Sequence, residues 1–335
     1  MRSDKRPAAV TMADVAQHAG VSRALVSIVF RGVPGASPAT RERVMRAAEE
    51  LAYRPDQRAR LLGRNRSRTV GVVFGLHHEF HAELVEHLYH AVDGTGYDLA
   101  LGAAAPTRDE RRAVQALLDY RCEALILLGP ALSRTTIEEL AARLPLVVVA
   151  RALRSRAVDV VRTDDAAGAR LAVEHLAGLR HQAIAHVHGR RAPGAAERRR
   201  GYRTAMRDLG LHPQTRLLPG GLTEEDGEHA AAQLFAETPP TAVTAFNDHC
   251  AAGLMAAARA RGVCVPGQLS LVGYDDSHIA SLASVALTTI AQDAPTLAGA
   301  ALDLAIRRTE DKNPEPSQVV VPPRLLVRRT SAPPA

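Results

Sequence analysis

The chain has 335 residues, 46% hydrophobic and 23% charged, with a formal net charge of +6, enough for two or three domains with substantial cores. No apolar run approaches the roughly 18 residues of a membrane-spanning helix, and the basic N-terminus lacks an apolar segment long enough for a secretory signal, so the expected location is the cytoplasm. The charge is uneven: residues 1–68 hold 14 Lys and Arg against 6 Asp and Glu, a net of +8, while the other 28 basic and 30 acidic residues leave the rest at −2.

A basic module on a near-neutral body is the electrostatic footprint of nucleic-acid binding. Only Lys5 and Lys312 are lysines, so arginine is this chain's habitual cation and single arginines carry less weight. The first two elements lie in Thr11–Arg31, TMADVAQHAGVSRALVSIVFR. Small Ala16, then Gly20, then Val26 are spaced as in a helix-turn-helix, where the second helix crosses close to the first and the turn needs a positive φ. Val15, Ala16 and Ala19 share one helical face and Leu25, Val26 and Val29 another. Thr11 and Ser22 stand at the N-cap positions. The same spacing fits an ordinary surface helical hairpin, and the remainder of the chain has to decide between the two.

After a loop at 32–36, Ser37-Pro38 opens a third helix, with Ser37 as N-cap and Pro38 at its first position. Val44, Ala47, Ala48 and Leu51 give it an apolar stripe that closes a three-helix bundle. Pro55 disfavours helix at Arg54 and ends it. The next segment, DQRARLLGRNRSR, reads as a short helix and a basic tether, too small to fold alone and too apolar at Leu61 and Leu62 for a plain linker.

From Thr69 the pattern alternates. Apolar strands are expected at 69–75, 97–103, 123–129, 145–150 and 158–164, with helices near 80–94, 108–120 and 135–143. A second block has strands at 184–189, 243–247 and 270–276 and helices near 166–180, 197–210, 224–236 and 249–262. Near-continuous apolar strands between amphipathic helices mean parallel sheets covered on both faces, so two blocks mean two α/β subdomains. Ligands of open parallel sheets bind beyond the C-terminal strand ends, which makes the cleft between the subdomains the expected pocket. The helical run Pro295–Glu310 has no strand of its own and is expected to cross back to the first block, giving a multiple, hinge-like connection. Cys122, Cys250 and Cys264 form no short motif and sit among helix and strand patterns, so buried, inert thiols in a reducing compartment are expected.

In this order the pieces resemble the LacI/GalR family of bacterial transcription regulators over residues 10–330. VTMADVAQHAGVSRALVS and SPATRERVMRAAEELAYRPDQRARLL are similar to that family's headpiece and hinge helix. Arg198-Arg199-Arg200-Gly201-Tyr202, Asn247-Asp248, VPGQLSLVGYDD and ALTTIAQD are similar to elements of its body. The resemblance implies a helix-turn-helix headpiece at 10–55, a hinge helix and linker at 56–68, and a periplasmic-binding-protein-like type I body at 69–330. That body would consist of two doubly wound subdomains, 69–164 with 293–318 and 165–292 with 319–330. It also implies a homodimer on a double-stranded DNA operator, with a small-molecule effector in the cleft and no cofactor or bound metal.

Carried over position by position, the resemblance places Thr11, Ser22, Arg23, Ala24, Ser27, Ile28, Arg31, Tyr53, Ala59 and Leu62 at DNA. Arg23 and Ala24 occupy positions that read base edges, and an arginine can bridge guanine O6 and N7. Ser22 and Ser27 suit phosphate contacts, which position without specifying. The family's arginine after the serine of its VS element is Ile28 here, which cannot donate to guanine. Asp56 replaces the usual Asn at the start of the hinge helix. Ala59 and Leu62 match residues that wedge into the minor groove and kink it.

For the effector, the implied residues are His77, Phe80, Arg198, Leu222, Asn247 and Asp275. A carboxylate and a guanidinium suit a polyhydroxylated ligand, a sugar or sugar derivative. Leu222 stands where sugar-binding members have an aromatic residue, and Ala150 replaces an acidic residue before Arg151; both count against a simple sugar. Arg198 is alternatively a helix arginine paired with Glu197 or Asp208. His77-His78-Glu79-Phe80-His81 follows the first strand on the rim of the cleft. A metal there would need convergent geometry, with His77 and His81 facing each other only on a helix.

The function these readings imply is a ligand-responsive transcriptional regulator, a repressor in its expected form. A solute-binding protein of the same fold is the first rival, and it predicts a signal peptide and no headpiece. An enzyme on this scaffold is the second, and the chain has no G-x-G-x-x-G after the first strand, no P-loop and no G-x-S-x-G elbow.

Overall fold

The structure is a computed structural model that describes residues 10–31, 33–53, 66–311 and 315–335. It divides into two compact units between Ser67 and Arg68.

The first unit holds α1 (Met12–Ala19), α2 (Arg23–Arg31) and α3 (Pro38–Glu50). Each starts where a side chain satisfies an orphan backbone N–H. Thr11 and Asp14 form a reciprocal capping box, Ser22 Oγ accepts from the Leu25 N–H at 3.2 Å, and Ser37 Oγ accepts from the Thr40 N–H at 3.3 Å. Gly20 ends α1 at φ +62 with open space where a Cβ would stand, so glycine supplies backbone freedom there and not room. The miniature core contains Val15, Ala16, Ala19, Val26, Val29, Val44, Ala47 and Ala48, edged by Phe30, Leu51 and Tyr53. Leu25 departs from the sequence reading: it stays half-buried, outside that cluster. Val26, Val29 and Phe30 are the i, i+3, i+4 set that faces inward, and Leu25 lies past the edge of that stripe, about 100° from Val26.

The second unit begins with β1 (Thr69–Gly75), α4 (Glu79–Val92), β2 (Asp98–Ala104), α5 (Glu110–Asp119), β3 (Ala124–Leu128), α6 (Arg134–Ala141), β4 (Leu146–Val149) and β5 (Asp159–Thr163). It continues with α7 (Asp165–Gly178), β6 (Ile184–His188), α8 (Ala195–Asp208), β7 (Arg216–Pro219), α9 (Glu224–Leu234), β8 (Ala242–Ala245), α10 (Asp248–Ala260), β9 (Ser270–Asp275) and α11 (His278–Ser281). It closes with β10 (Thr288–Ala291), α12 (Ala294–Glu310), β11 (Gln318–Val321) and β12 (Arg324–Leu326). One sheet has the order β11-β5-β4-β3-β1-β2 and the other β12-β10-β9-β8-β6-β7. Every pairing is parallel except β12 on β10.

Four strands were not read from the sequence: β7, β10, β11 and β12. Each has only three or four residues, and all four lie at or beside a sheet edge, where no long apolar run is required. The apolar face of α12 (Leu297, Ala301, Leu302, Ala305) packs into the first subdomain's core with Leu84 and Leu88 of α4. The chain therefore crosses between subdomains three times. The last crossing falls after Val321, since residues 318–321 pair with β5; this corrects the division after 318. Cys122 and Cys250 are buried, and burial pushes their thiols up to about 11 and about 12. Cys264, against expectation, is exposed, because it lies past the end of α10.

Helices α9 and α10 touch at backbone distance. A Cβ on Gly253 would sit 1.9 Å from the Glu224 carbonyl oxygen, and one on Gly227 2.1 Å from that of Cys250. Gly253→Ala is expected to destabilise the body by about 1–3 kcal/mol through overpacking. Gly299→Ala, on α12 with nothing near its Cβ position, is expected to gain about 0.5–1 kcal/mol. Urea unfolding of the two variants beside the parent checks the contrast in sign.

Candidate functional site

On the first unit, α2 presents Arg23 and Ala24 exposed beside exposed Ser22, with Ser27 and Ile28 half-buried. Ile28 is drawn toward the following loop: a Cβ on Gly35 would lie 3.4 Å from its Cγ2. The Thr11 N–H and hydroxyl both donate to Asp14 Oδ2 at 2.7 Å, so Thr11 serves its own helix first. Tyr53 lies against Phe30, with ring centroids 5.6 Å apart. Arg31 is the last residue of α2; Ala59, Leu62 and Asp56 lie outside the described residues.

The second unit carries a cleft where the C-terminal ends of both sheets face each other. Arg198, on the first turn of α8, is 6% exposed and forms its floor. Its Nε donates to Asp165 Oδ1 at 2.8 Å, Nη1 donates to the Phe246 carbonyl at 2.6 Å, and Nη2 lies 3.5 Å from Asp275 Oδ1. The guanidinium carbon also sits 3.5 Å from the Tyr274 ring centroid and 4.6 Å from that of Phe246. Burial opposes the charge, but Asp165, Tyr274 and Asp275 more than compensate and raise the Arg198 pKa. Arg198 is a permanent cation held rigidly by three acceptors.

Asp275 follows the same logic with the opposite outcome. Burial pushes its carboxyl up to about 6, although Arg198 and a hydrogen bond from Gln292 Nε2 at 2.8 Å pull it down. Gln292 Oε1 in turn accepts from Thr163 Oγ1 at 2.6 Å. Thr163 ends β5 in the first subdomain and Gln292 follows β10 in the second, so the cleft floor and the hinge share one hydrogen-bond chain. Asn247 caps α10, its Oδ1 accepting from the Cys250 N–H at 2.9 Å while Nδ2 donates to the Leu222 carbonyl at 3.0 Å. Asn247 and Leu222 both line the cleft, as does Phe80.

His77 is exposed and lines a neighbouring chamber, not the cleft; His78 and His81 take the place assigned to it. The reason is that α4 starts at Glu79, so His77 precedes the helix and does not share a face with His81. The His81 ring stacks on His78 at 4.6 Å. Its Nδ1 accepts the Gly75 N–H at 3.0 Å, and burial with the nearby His78 lowers its pKa to about 3. It is a neutral imidazole whose proton resides on Nε2. The alternative pairing of Arg198 with Glu197 or Asp208 is not found; Asp208 pairs with Arg170 at 2.8 Å.

Sequence reasoning missed Asp165, Gln292 and Phe246 as cleft residues, whereas His78 and His81 belong to the segment it placed on the cleft rim. A rule was available, since Gly129, Ala150, Asp165, Phe246 and Gln292 all come within two residues of a parallel strand's C-terminal end. Gln292 escaped it because β10 was not recognised as a strand.

A cleft between two parallel-sheet subdomains joined by three crossings, in a chain that also carries a capped helix-turn-helix, defines a ligand-binding regulator that attaches to DNA. Residues 11–56 match the family described as bacterial regulatory proteins, lacI family, and residues 173–331 match a periplasmic binding protein-like domain. The chain is 34% identical to the HTH-type transcriptional regulator GalR of Escherichia coli, over 96% of this chain and 95% of that one. A LacI transcriptional regulator from a Rhodococcus species shares 45% identity and a TM-score of 0.78, covering 80% of this chain and all of that one. The lac repressor dimer, solved bound to operator and the anti-inducer ONPF, shares 28% identity and a TM-score of 0.85 over 97% of this chain and 99% of that one. The chain belongs to the lacI family and is a ligand-responsive, DNA-binding transcriptional regulator.

Arg198→Ala would leave Asp165 and Asp275 without their shared cation, and removing one partner of a buried pair costs about 3–5 kcal/mol. Arg198→Lys is expected to recover only part of this, because an ammonium cannot reach three acceptors and two ring faces together. Chemical denaturation of the full chain measures both.

Proposed function

We propose that this chain is a cytoplasmic repressor that binds a pseudo-palindromic operator as a homodimer and holds an uncharged, hydroxylated effector, a sugar or sugar derivative, in the cleft. The observation that carries the ligand class is the Arg198–Asp275–Gln292 floor beneath Phe80, Leu222 and Phe246. A fixed donor and a fixed acceptor between apolar walls suit hydroxyls attached to a ring. Asp165 and Asp275 both serve Arg198 as acceptors, which supports a role in holding a ligand rather than in catalytic proton transfer. The lac repressor's capture with an operator and an anti-inducer supports the same pairing of roles here.

In this reading residues 10–55 form the headpiece, 56–68 the hinge segment and the rest the effector-binding body. Two headpieces dock in successive major grooves, with Arg23 and Ala24 at base edges, Ser22 and Ser27 at phosphates, and Ala59 and Leu62 at the central minor groove. Effector shifts the subdomain angle and is coupled reciprocally to DNA affinity. A gel shift on the gene's own upstream region tests this: the full chain is expected to select a pseudo-palindrome. Removal of residues 1–67 is expected to abolish the complex and its steep salt dependence. Binding without sequence preference in the full chain would overturn the reading.

Arg23→Ala is expected to relax specificity at one base position by about 1–3 kcal/mol, and Ile28→Ala by less, because Ile28 is partly engaged with the loop at Gly35. Operator selection with both variants measures the difference. A hydroxyl that donates to Asp275 needs the ionised carboxylate. The contribution of Asp275 to sugar affinity is therefore expected to be fully present well above pH 6 and to fall as the pH drops through the carboxyl's value of about 6, by up to about tenfold per pH unit. Calorimetric titration with whichever sugar of a thermal-shift panel binds reads this profile.

A further inference from the structure

Outside the cleft lining, three side chains join the two subdomains. Glu79 is the first residue of α4 in the first subdomain; Glu224 opens α9 and His249 lies in the first turn of α10, both in the second. Glu79 Oε2 is 2.7 Å from His249 Nε2, and Glu224 Oε1 is 2.6 Å from His249 Nδ1. Glu79 Oε1 also accepts the backbone N–H of His278, at the start of α11, at 2.9 Å. Among the described residues, the side-chain hydrogen bonds that cross the cleft away from the hinge strands all end on Glu79.

We propose that Glu79, His249 and Glu224 form a proton-linked clasp that holds the two subdomains closed and thereby sets the response to effector. The proposal rests on the reading above only in taking subdomain closure as the step an effector acts on. Its basis is geometric. A neutral imidazole has one N–H, so a ring with a carboxylate at each nitrogen satisfies both only as the imidazolium. Opening the cleft removes Glu79 from His249 and leaves Glu224, which belongs to the same subdomain, in place. The closed form therefore binds the proton more tightly than the open form, and by linkage protonation favours closure.

The surroundings agree. Burial disfavours the charge, but the hydrogen bonds to Glu224 and Glu79 outweigh it and raise the His249 pKa. Facing His249 are also His78, whose own protonation it disfavours, and Asp275, whose charge it favours. Asp248 precedes it in the chain, but its carboxylate is turned inward onto Thr289 and Ser277. Glu83 on α4 adds negative charge beside Glu79, Asp275 and Asp276, and burial with those neighbours raises its carboxyl to about 7. For the sign, a raised histidine pKa means stabilisation of the closed state that is fully present below the ordinary histidine range. It is lost as the pH rises through the closed-state value.

The test uses the full chain without effector or DNA, so its outcome is separate from that of the effector reading. Spin labels at Thr107→Cys and Arg191→Cys, both exposed and on opposite subdomains, in a Cys264→Ser background, report the width of the cleft. The parent is expected to show a longer label distance at roughly pH 8.5 than at roughly pH 6, either side of the histidine range. His249→Gln and Glu79→Gln are expected to remove that difference, the latter while keeping an acceptor for the His278 N–H. The His249 ring, followed by NMR, is expected to titrate at lower pH in Glu79→Gln and in Glu224→Gln than in the parent. A parent whose label distance ignores pH, a pH response that survives His249→Gln, or a ring midpoint unmoved by Glu79→Gln would each overturn the clasp.

Discussion

The body of this regulator depends on one buried cation. Withdrawing a guanidinium from water costs several kcal/mol unless its donors and charge are met. Arg198 meets that cost with Asp165, the Phe246 carbonyl, Asp275 and the faces of two rings. The rings need room of their own. A Cβ on Gly168 would lie 2.4 Å from the Tyr274 hydroxyl oxygen, and one on Gly189 2.6 Å from the Phe246 ring. Three segments that look independent in the sequence, around Arg198, Phe246-Asn247 and Tyr274-Asp275, are therefore one object in space. Loss of Arg198 in particular leaves Asp165 and Asp275 without their shared cation.

The same cation ties the cleft to the hinge. Asp275 is shared between Arg198 and Gln292, and Gln292 reaches Thr163 at the end of the first subdomain's β5. On the proposed reading, a ligand that competes for Asp275 acts beside the crossings between the subdomains. The opposite edge of the cleft is held by Glu79, so the two subdomains meet through a neutral hydrogen-bonded hinge on one side and an ionic contact on the other. The Thr163–Gln292 link itself carries no titratable group, whereas the second contact places an imidazole between carboxylates.

The DNA-binding unit is built on a different principle. Its core is a handful of alanines and valines, too little apolar surface for a large margin of stability. Local terms consequently matter: three side-chain caps, the left-handed Gly20, and the Arg41 guanidinium donating to the carbonyls of Val29 and Val33 at 3.3 and 3.2 Å. These hold α2 so that the residues at its start remain exposed.

Much of this was legible from the sequence because it is governed by local rules. Apolar runs marked the long central strands, caps and glycines marked the helix ends, and the charge excess marked the basic unit. Leu25, Cys264 and the short strands β7 and β10 were misread or missed where burial is decided by neighbours distant in the chain. The partner of Arg198 was undecidable for the same reason. Glu197 and Asp208 are near in sequence, yet α8 turns Glu197 about 100° away and Arg170 takes Asp208. Sequence alone thus determined the architecture, a basic helix-turn-helix ahead of two parallel-sheet subdomains, since periodicity and capping act over a few residues. Only the tertiary structure decided which charges meet, that His78 and His81 and not His77 line the cleft, and that Glu79 reaches across it to His249. Ion pairs and clefts form between strand ends that lie far apart along the chain.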